Sequence, residues 1–208
     1  MRFAKSNIFT LLFSVMTVGG FPLDSIHAAD YSRQGTGNWS DAAWTVNGSP
    51  NQNWADGNSA VISAANENEL NLDTGVSLTA LTFNGLTDSD SAALNGTQTL
   101  TFTGDSAFFN VANGTLTTSA ALNGAFTKTG AGTLTLTAIK TSTTPIRVQE
   151  GTLRVAAGEF SNQGLKNTAV SLAPNTRLEI TQNFGVGGGM ITADGAVIHI
   201  TEIGRAHV

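Results

Sequence analysis

Between Asp30 and Thr201 the chain holds one histidine, His199. A serine triad would have to use it, because a hydroxyl nucleophile needs an imidazole titrating near neutral pH to take its proton. Its setting, Ile198-His199-Ile200, is an alternating strand whose isoleucines face a core, so the imidazole turns outward, and no Gly-x-Ser-x-Gly turn accompanies it. Two carboxylate pairs, Glu67 with Glu69 and Asp88 with Asp90, have the i, i+2 spacing that places both members on one strand face. Glycoside hydrolysis needs two carboxyls roughly 5–10 Å apart across a groove. Both pairs lie in turn-rich polar stretches and read as solvated loop charges. Asp88-Ser89-Asp90 is too short for a calcium loop, which needs more oxygen ligands and a closing glutamate. With no cysteine and one histidine, zinc and iron ligation is implausible. Gly185-Val186-Gly187-Gly188-Gly189 lacks the strand-to-helix setting and the Lys-Ser/Thr pair of a phosphate cradle, and reads as a turn. The chemistry-bearing residues therefore point to no catalytic centre, no cofactor and no metal.

The elements that carry these residues are repeats. Gly-Thr-Leu occurs at Gly114-Thr115-Leu116, Gly132-Thr133-Leu134 and Gly151-Thr152-Leu153, starting 18 and then 19 residues apart. That is the length of one β-solenoid coil, in which a unit cannot bury its apolar side alone and its neighbours complete the core. Carrying the glycine register backwards reaches Gly96, Gly75 and Gly57. Thr133 to Thr137, Thr99 to Thr103 and Thr152 to Val155 alternate strictly, with Leu, Phe and Val on one face and Thr and Arg on the other. Leu178 and Ile198 continue the series at 25 and 20 positions. Asn-Gly at Asn47, Asn84, Asn95, Asn113 and Asn123 supplies turns that accept positive φ. Such turns also suit an antiparallel sandwich, but a sandwich has no reason to repeat Gly-Thr-Leu. No segment after residue 29 shows a convincing amphipathic helix; Asn66 to Leu72 has room for a short turn of one, but the run is brief and its flanks are turn-like.

Arg2 and Lys5, the apolar run Ile8 to Val18, the helix-breaking Gly19-Gly20 and Pro22, and the small residues Ala28-Ala29 predict a cleaved signal peptide at residues 1–29. The apolar run is shorter than the about 20 residues a membrane span needs. The exported portion must be stabilised without disulfides. The net charge of −5, with Arg33 the only cation between Asp30 and Thr127, argues against a nucleic-acid partner, which requires a basic footprint. Trp39, Trp44 and Trp54 all fall within residues 30–58. A solenoid's first rung would expose an open sheet edge, so this segment is expected to be a terminal cap. The functional alternative is an aromatic platform that contacts glycans.

Phe126-Thr127-Lys128-Thr129-Gly130-Ala131-Gly132-Thr133-Leu134-Thr135-Leu136-Thr137, followed by Ile146 to Val155, resembles the passenger-associated transport repeat, also called the autotransporter-associated β-strand repeat. Gly37-Asn38-Trp39-Ser40 through Trp44, then Leu81-Thr82-Phe83-Asn84-Gly85, resembles the leader that commonly precedes it. The resemblance implies a secreted β-helical passenger, joined to an outer-membrane barrel or held by a short sorting tail, in which the repeat assists translocation and folding. Between the two triplets this chain reads Ala138 to Pro145 where the family commonly has Gly, Asn, Tyr and Gly, so a role for that tyrosine does not carry over. Glu202 to Val208 matches the in-frame translation of a sequencing-adapter oligonucleotide, and native sequence is expected to end near Thr201.

The expected architecture is all-β: a signal peptide (1–29), a tryptophan-rich cap (30–58), a right-handed parallel β-helix (59–201) and a non-native tail (202–208). The structural residues are Gly114, Gly132 and Gly151 at the coil corners and Leu116, Leu134, Leu136, Leu153 and Val155 in the apolar stack. The expected function is structural, in a bacterial cell-surface protein exported through the outer membrane, with the export machinery and host, matrix or cell-surface glycans or proteins as partners. The alternatives are the N-terminal part of a secreted enzyme, polysaccharide-active or a serine protease passenger, with its active site beyond this chain, and a glycan-binding module.

Overall fold

The computed structural model describes residues 28–64, 68–137, 145–156, 169–181 and 191–201 of the 208-residue chain. The signal peptide except Ala28 and Ala29, Glu67, the Ala138–Thr144 segment, the Gly185–Gly189 run and residues 202–208 lie outside the described residues.

Among the described residues the chain is built of strands and turns, with no helix. The strands are β1 (Asp30–Arg33), β2 (Gly37–Asn38), β3 (Trp44–Val46), β4 (Ser49–Gln52), β5 (Asn58–Ala64), β6 (Asn68–Asn71) and β7 (Val76–Gly85). Next come β8 (Ser91–Asn95), β9 (Thr99–Phe102), β10 (Phe108–Val111), β11 (Thr115–Thr118), β12 (Ala121–Asn123), β13 (Phe126–Thr129) and β14 (Thr133–Leu136). The series ends with β15 (Ile146–Val148), β16 (Thr152–Val155), β17 (Val170–Leu172), β18 (Arg177–Ile180), β19 (Ile191–Ala193) and β20 (Val197–Ile200).

The chain returns to both sheets in every coil, and two of the coils place a second strand, β9 or β12, in the longer one. One sheet runs β4, β3, β1, β5, β7, β10, β13, β15, β17, β19, with β9 and β12 extending it beside β7. The other runs β2, β6, β8, β11, β14, β16, β18, β20. From β5 onward every pairing is parallel, which makes the fold a parallel β-solenoid.

Alternation explains the core. Ala92, Leu116, Leu134, Leu153, Leu178 and Ile198 are aligned partners on successive strands, and all but the terminal Ile198 are buried. Leu94, Thr118, Leu136, Val155 and Ile180 form the second inward column of this sheet. Phe102, Phe109 and Phe126 fill the middle of the solenoid, with ring centroids 4.9–5.9 Å apart. Fully burying a side chain of this size contributes about 1.5–3 kcal/mol, and stacking lets each coil bury its neighbour's.

Asn68–Asn71, within the one stretch that had room for a turn of helix, is the strand β6, because it pairs in register with β8. One expectation is corrected. The glycine register does not extend backwards at one coil length. Thr115 aligns with Ser91, so Gly114 sits over Asp90, whereas Gly96 lies at the other end of β8 against Leu72. What the fold keeps constant is strand register, and the aligned positions are 24 residues apart from Ser91 to Thr115, 18 to Thr133, 19 to Thr152, 25 to Arg177 and 20 to Val197.

Among the described residues antiparallel pairing is confined to residues 30–52. β1 pairs with β3, and β3 turns back into β4 through Asn47-Gly48, whose positive φ of 50° and 78° suits a two-residue hairpin. The sheet is thereby finished by β4, which carries Pro50, lacking an N–H, and Asn51 at φ 58°, and is exposed along its length. Both features discourage another strand from pairing with this edge.

Candidate functional site

Three local arrangements concentrate the polar and aromatic groups of the chain. The first is the N-terminal aromatic cluster. Trp39 and Trp44 are fully buried, with ring centroids 4.8 Å apart. Trp54 packs edge-on to Trp39 at 5.1 Å and to Tyr31 at 4.9 Å. The Trp44 indole N–H donates to the Trp39 carbonyl at 3.0 Å, and that of Trp54 donates to Asp56. Arg33, on the same inward face as Tyr31, places its guanidinium 5.7 Å from the Trp44 ring and donates to the Asn38 carbonyl at 2.6 Å, with Asp41 at 3.5 Å. A sugar platform needs an exposed ring face, and of the three tryptophans only Trp54 is partly exposed.

The second is the coil corner between β13 and β14. Lys128 occupies an inward position, aligned between Phe109 and Val148, and is fully buried. Its ammonium has three N–H groups, and they donate to the carbonyls of Thr129 and Gly130 at 2.7 Å each and of Glu150 at 3.2 Å. The Glu150 carboxylate in turn accepts from the Gly130 N–H at 3.0 Å. One cation thus ties together two successive corners. Burial pushes its pKa down to about 8, and the charge of Glu150 acts in the opposite direction. The strand alternation Phe126-x-Lys128 was the sequence signal for this inward lysine.

The corner glycines surround this clamp. Gly151 has φ +67°, and a Cβ there would collide with the carbonyl oxygens of Gly130, Ala131 and Gly132. Gly132 has no positive φ, and its constraint is space alone: a Cβ would lie 2.7 Å from both the Gly114 carbonyl oxygen and Val111 Cγ1. Leu116, Leu134, Leu136, Leu153 and Val155 are all buried between these corners.

The third is the charged outer column of the shorter sheet. Arg154, Glu179 and His199 are aligned on successive strands. Glu179 is 2.6 Å from both Arg154 and Arg177, and Arg177 lies 3.0 Å from His199 Nδ1. Burial pushes the Glu179 carboxyl up, but the hydrogen bond from Arg154 and the charges of Arg154 and Arg177 outweigh it and hold the group below the usual range. His199 faces outward, exposed, beside an arginine. Asp90 accepts from the Thr87 N–H at 2.6 Å and so closes its own turn, while Glu69 is exposed on β6. No group of three or more metal-ligating side chains occurs among the described residues.

Residues 126–155 match the family model of the passenger-associated-transport-repeat. No curated protein and no solved structure shows significant similarity to the chain. The matched segment comprises β13, β14, β15 and β16, which are two successive coils: β13 pairs with β15 and β14 with β16. It contains the lysine clamp and two of the three Gly-Thr-Leu triplets. The chain carries a passenger-associated-transport-repeat within a parallel β-solenoid, and the two together fit an autotransporter passenger.

Proposed function

We propose that this chain is the scaffold of an exported surface protein: a rod that folds coil by coil as it leaves the outer membrane and then displays an adhesive or other region. The observation that carries this reading is that the matched repeat folds as one coil laid in register on another. Each finished coil offers two parallel edges on which the next can pair, so stability is gained step by step along the axis. That suits a chain emerging through a translocator more than one whose core closes only at the end.

In this reading residues 30–58 are the cap: the β3–β4 hairpin finishes one sheet and the tryptophans close the apolar interior. The glycines and leucines of residues 114–155 carry the stack. The partners are the outer-membrane export machinery, reached through a C-terminal translocator, and host, matrix or cell-surface molecules met by the displayed region.

The test is to fuse the whole chain to an autotransporter translocator barrel and measure surface exposure on intact cells with an external protease. The expected outcome is display of the wild-type chain and loss of display for Leu134→Asp, which breaks the stack inside the matched repeat. Equal display of the two proteins would overturn the proposal.

A further inference from the structure

The longer sheet carries an outward column that the scaffold role does not use. Phe108, Thr127, Arg147 and Ser171 are aligned partners on β10, β13, β15 and β17. At about 4.8 Å per strand this column is about 14 Å long. Each alternates with buried neighbours, Phe109, Lys128, Val148 and Leu172, so their side chains point away from the core. Thr127, Arg147 and Ser171, with Asp105 from the turn before β10, line a hollow of about 260 Å³. Phe108, one rung along from Thr127, is 38 % exposed, one of the few large apolar side chains left in solvent.

Arg147 and Asp105 share this hollow without forming an ion pair, and neither has a side-chain partner among the described residues. A second polar hollow among the described residues, beside Ser32 and Thr45, differs because its arginine, Arg33, is already engaged by Asp41. A free guanidinium presents a planar fork that matches a carboxylate. Asp105 opposes a bare anion, but its carboxylate accepts hydrogen bonds from hydroxyls, and Thr127 and Ser171 both donate and accept. An exposed aromatic ring offers an apolar face to ring C–H groups. The ligand with all of these features is a sugar ring that bears a carboxylate. The volume is just below the roughly 300–1,000 Å³ of sites for drug-sized ligands, which suits one ring and not a larger group.

We propose that this hollow binds an acidic sugar residue of a glycan, with Arg147 holding the carboxylate, Asp105, Thr127 and Ser171 engaging hydroxyls, and Phe108 supporting the neighbouring sugar along the column. The site is separate from the tryptophan cluster and does not depend on the route of export.

The test titrates the purified chain with D-galacturonate, N-acetylneuraminate and neutral D-galactose, followed by calorimetry. One of the two acids should bind, and which one separates a uronate-rich polysaccharide from a sialylated cell surface as the source. Galactose, which lacks the carboxylate, should bind at least about tenfold more weakly, as should Arg147→Gln, since a charge-assisted hydrogen bond is lost in each case. Arg147 is exposed, so the variant should keep the wild-type circular dichroism spectrum. Absence of binding by both acids, equal binding of galactose, or unchanged affinity in a folded Arg147→Gln would overturn the proposal.

Discussion

Replacing Lys128 by methionine separates the cost of burying its charge from the value of its hydrogen bonds. Burial lowers the group from its ordinary value of 10.5 to about 8 in the folded chain. Between those two values the unfolded chain binds more protons than the folded one, so stability rises with pH across the window. The contribution is fully present above 10.5 and is lost as pH falls through 8. A displacement of this size corresponds to roughly 3 kcal/mol. Methionine keeps an unbranched apolar stem but does not titrate. It also leaves the carbonyls of Thr129, Gly130 and Glu150 without this donor, at about 1–3 kcal/mol for a buried group left unpaired, a cost that does not vary with pH. The stability of wild type minus that of Lys128→Met should therefore grow by roughly 3 kcal/mol between about pH 7 and about pH 11. Urea unfolding followed by circular dichroism at a series of pH values reads this difference directly, and other titrating groups cancel between the two proteins. A difference that stays constant over the range would refute the reasoning, because it would mean that the three carbonyls keep the proton on Lys128 at its ordinary value.

Leu134→Asp removes a fully buried leucine, at about 2–5 kcal/mol, and adds an unpaired buried charge; unfolded circular dichroism and rapid proteolysis are expected, and wild-type protease resistance would contradict the inward placement. Gly151→Ala combines a left-handed backbone, about 1–2 kcal/mol, with a collision against three carbonyl oxygens, so it should cost clearly more than Gly57→Ala, which shares the positive φ but has open space around it; thermal melts compare them. Glu179 is held below its ordinary value of 4.5, so its contribution is present above 4.5 and lost as pH falls through the lowered folded value; acid melts of Glu179→Gln should be flatter than those of wild type. Trp39 and Trp44 should give blue-shifted emission that resists iodide quenching and does not respond to sugars.

The solenoid was legible because the strongest signals sit where coils are shortest. Around Gly114, Gly132 and Gly151 aligned positions repeat residue type as well as burial, so Thr-Leu recurs visibly. One coil earlier, Ser91-Ala92-Ala93-Leu94 keeps the burial alternation of Thr115-Leu116-Thr117-Thr118 but shares no residue with it, and glycine could not stand in as a marker. Small inward residues such as Ala92 are tolerated there because the stack needs an apolar neighbour and not an identical one. Lys128 was not legible as a clamp because its acceptors are main-chain oxygens, which have no sequence signature. The same holds for Arg33, whose closest acceptor is the carbonyl of Asn38. The hollow beside Arg147 was invisible for a further reason: its lining comes from coils separated by about twenty residues or more, and only the register brings them to one column.

Aligned strands keep their pairing while the coils that join them range, in the shorter sheet from β8 onward, from 18 to 25 residues. Length is therefore a free variable at the corners and a fixed one on the sheets. For a gene, this means that an in-frame duplication of one coil, or an insertion between two strands, leaves the neighbouring registers intact, since each rung reads only the rungs beside it. Lineages can lengthen such a protein or graft new loops onto it without redesigning a core. Mutations should accordingly accumulate unevenly, with insertions and deletions at the corners and conservative exchanges along the inward columns.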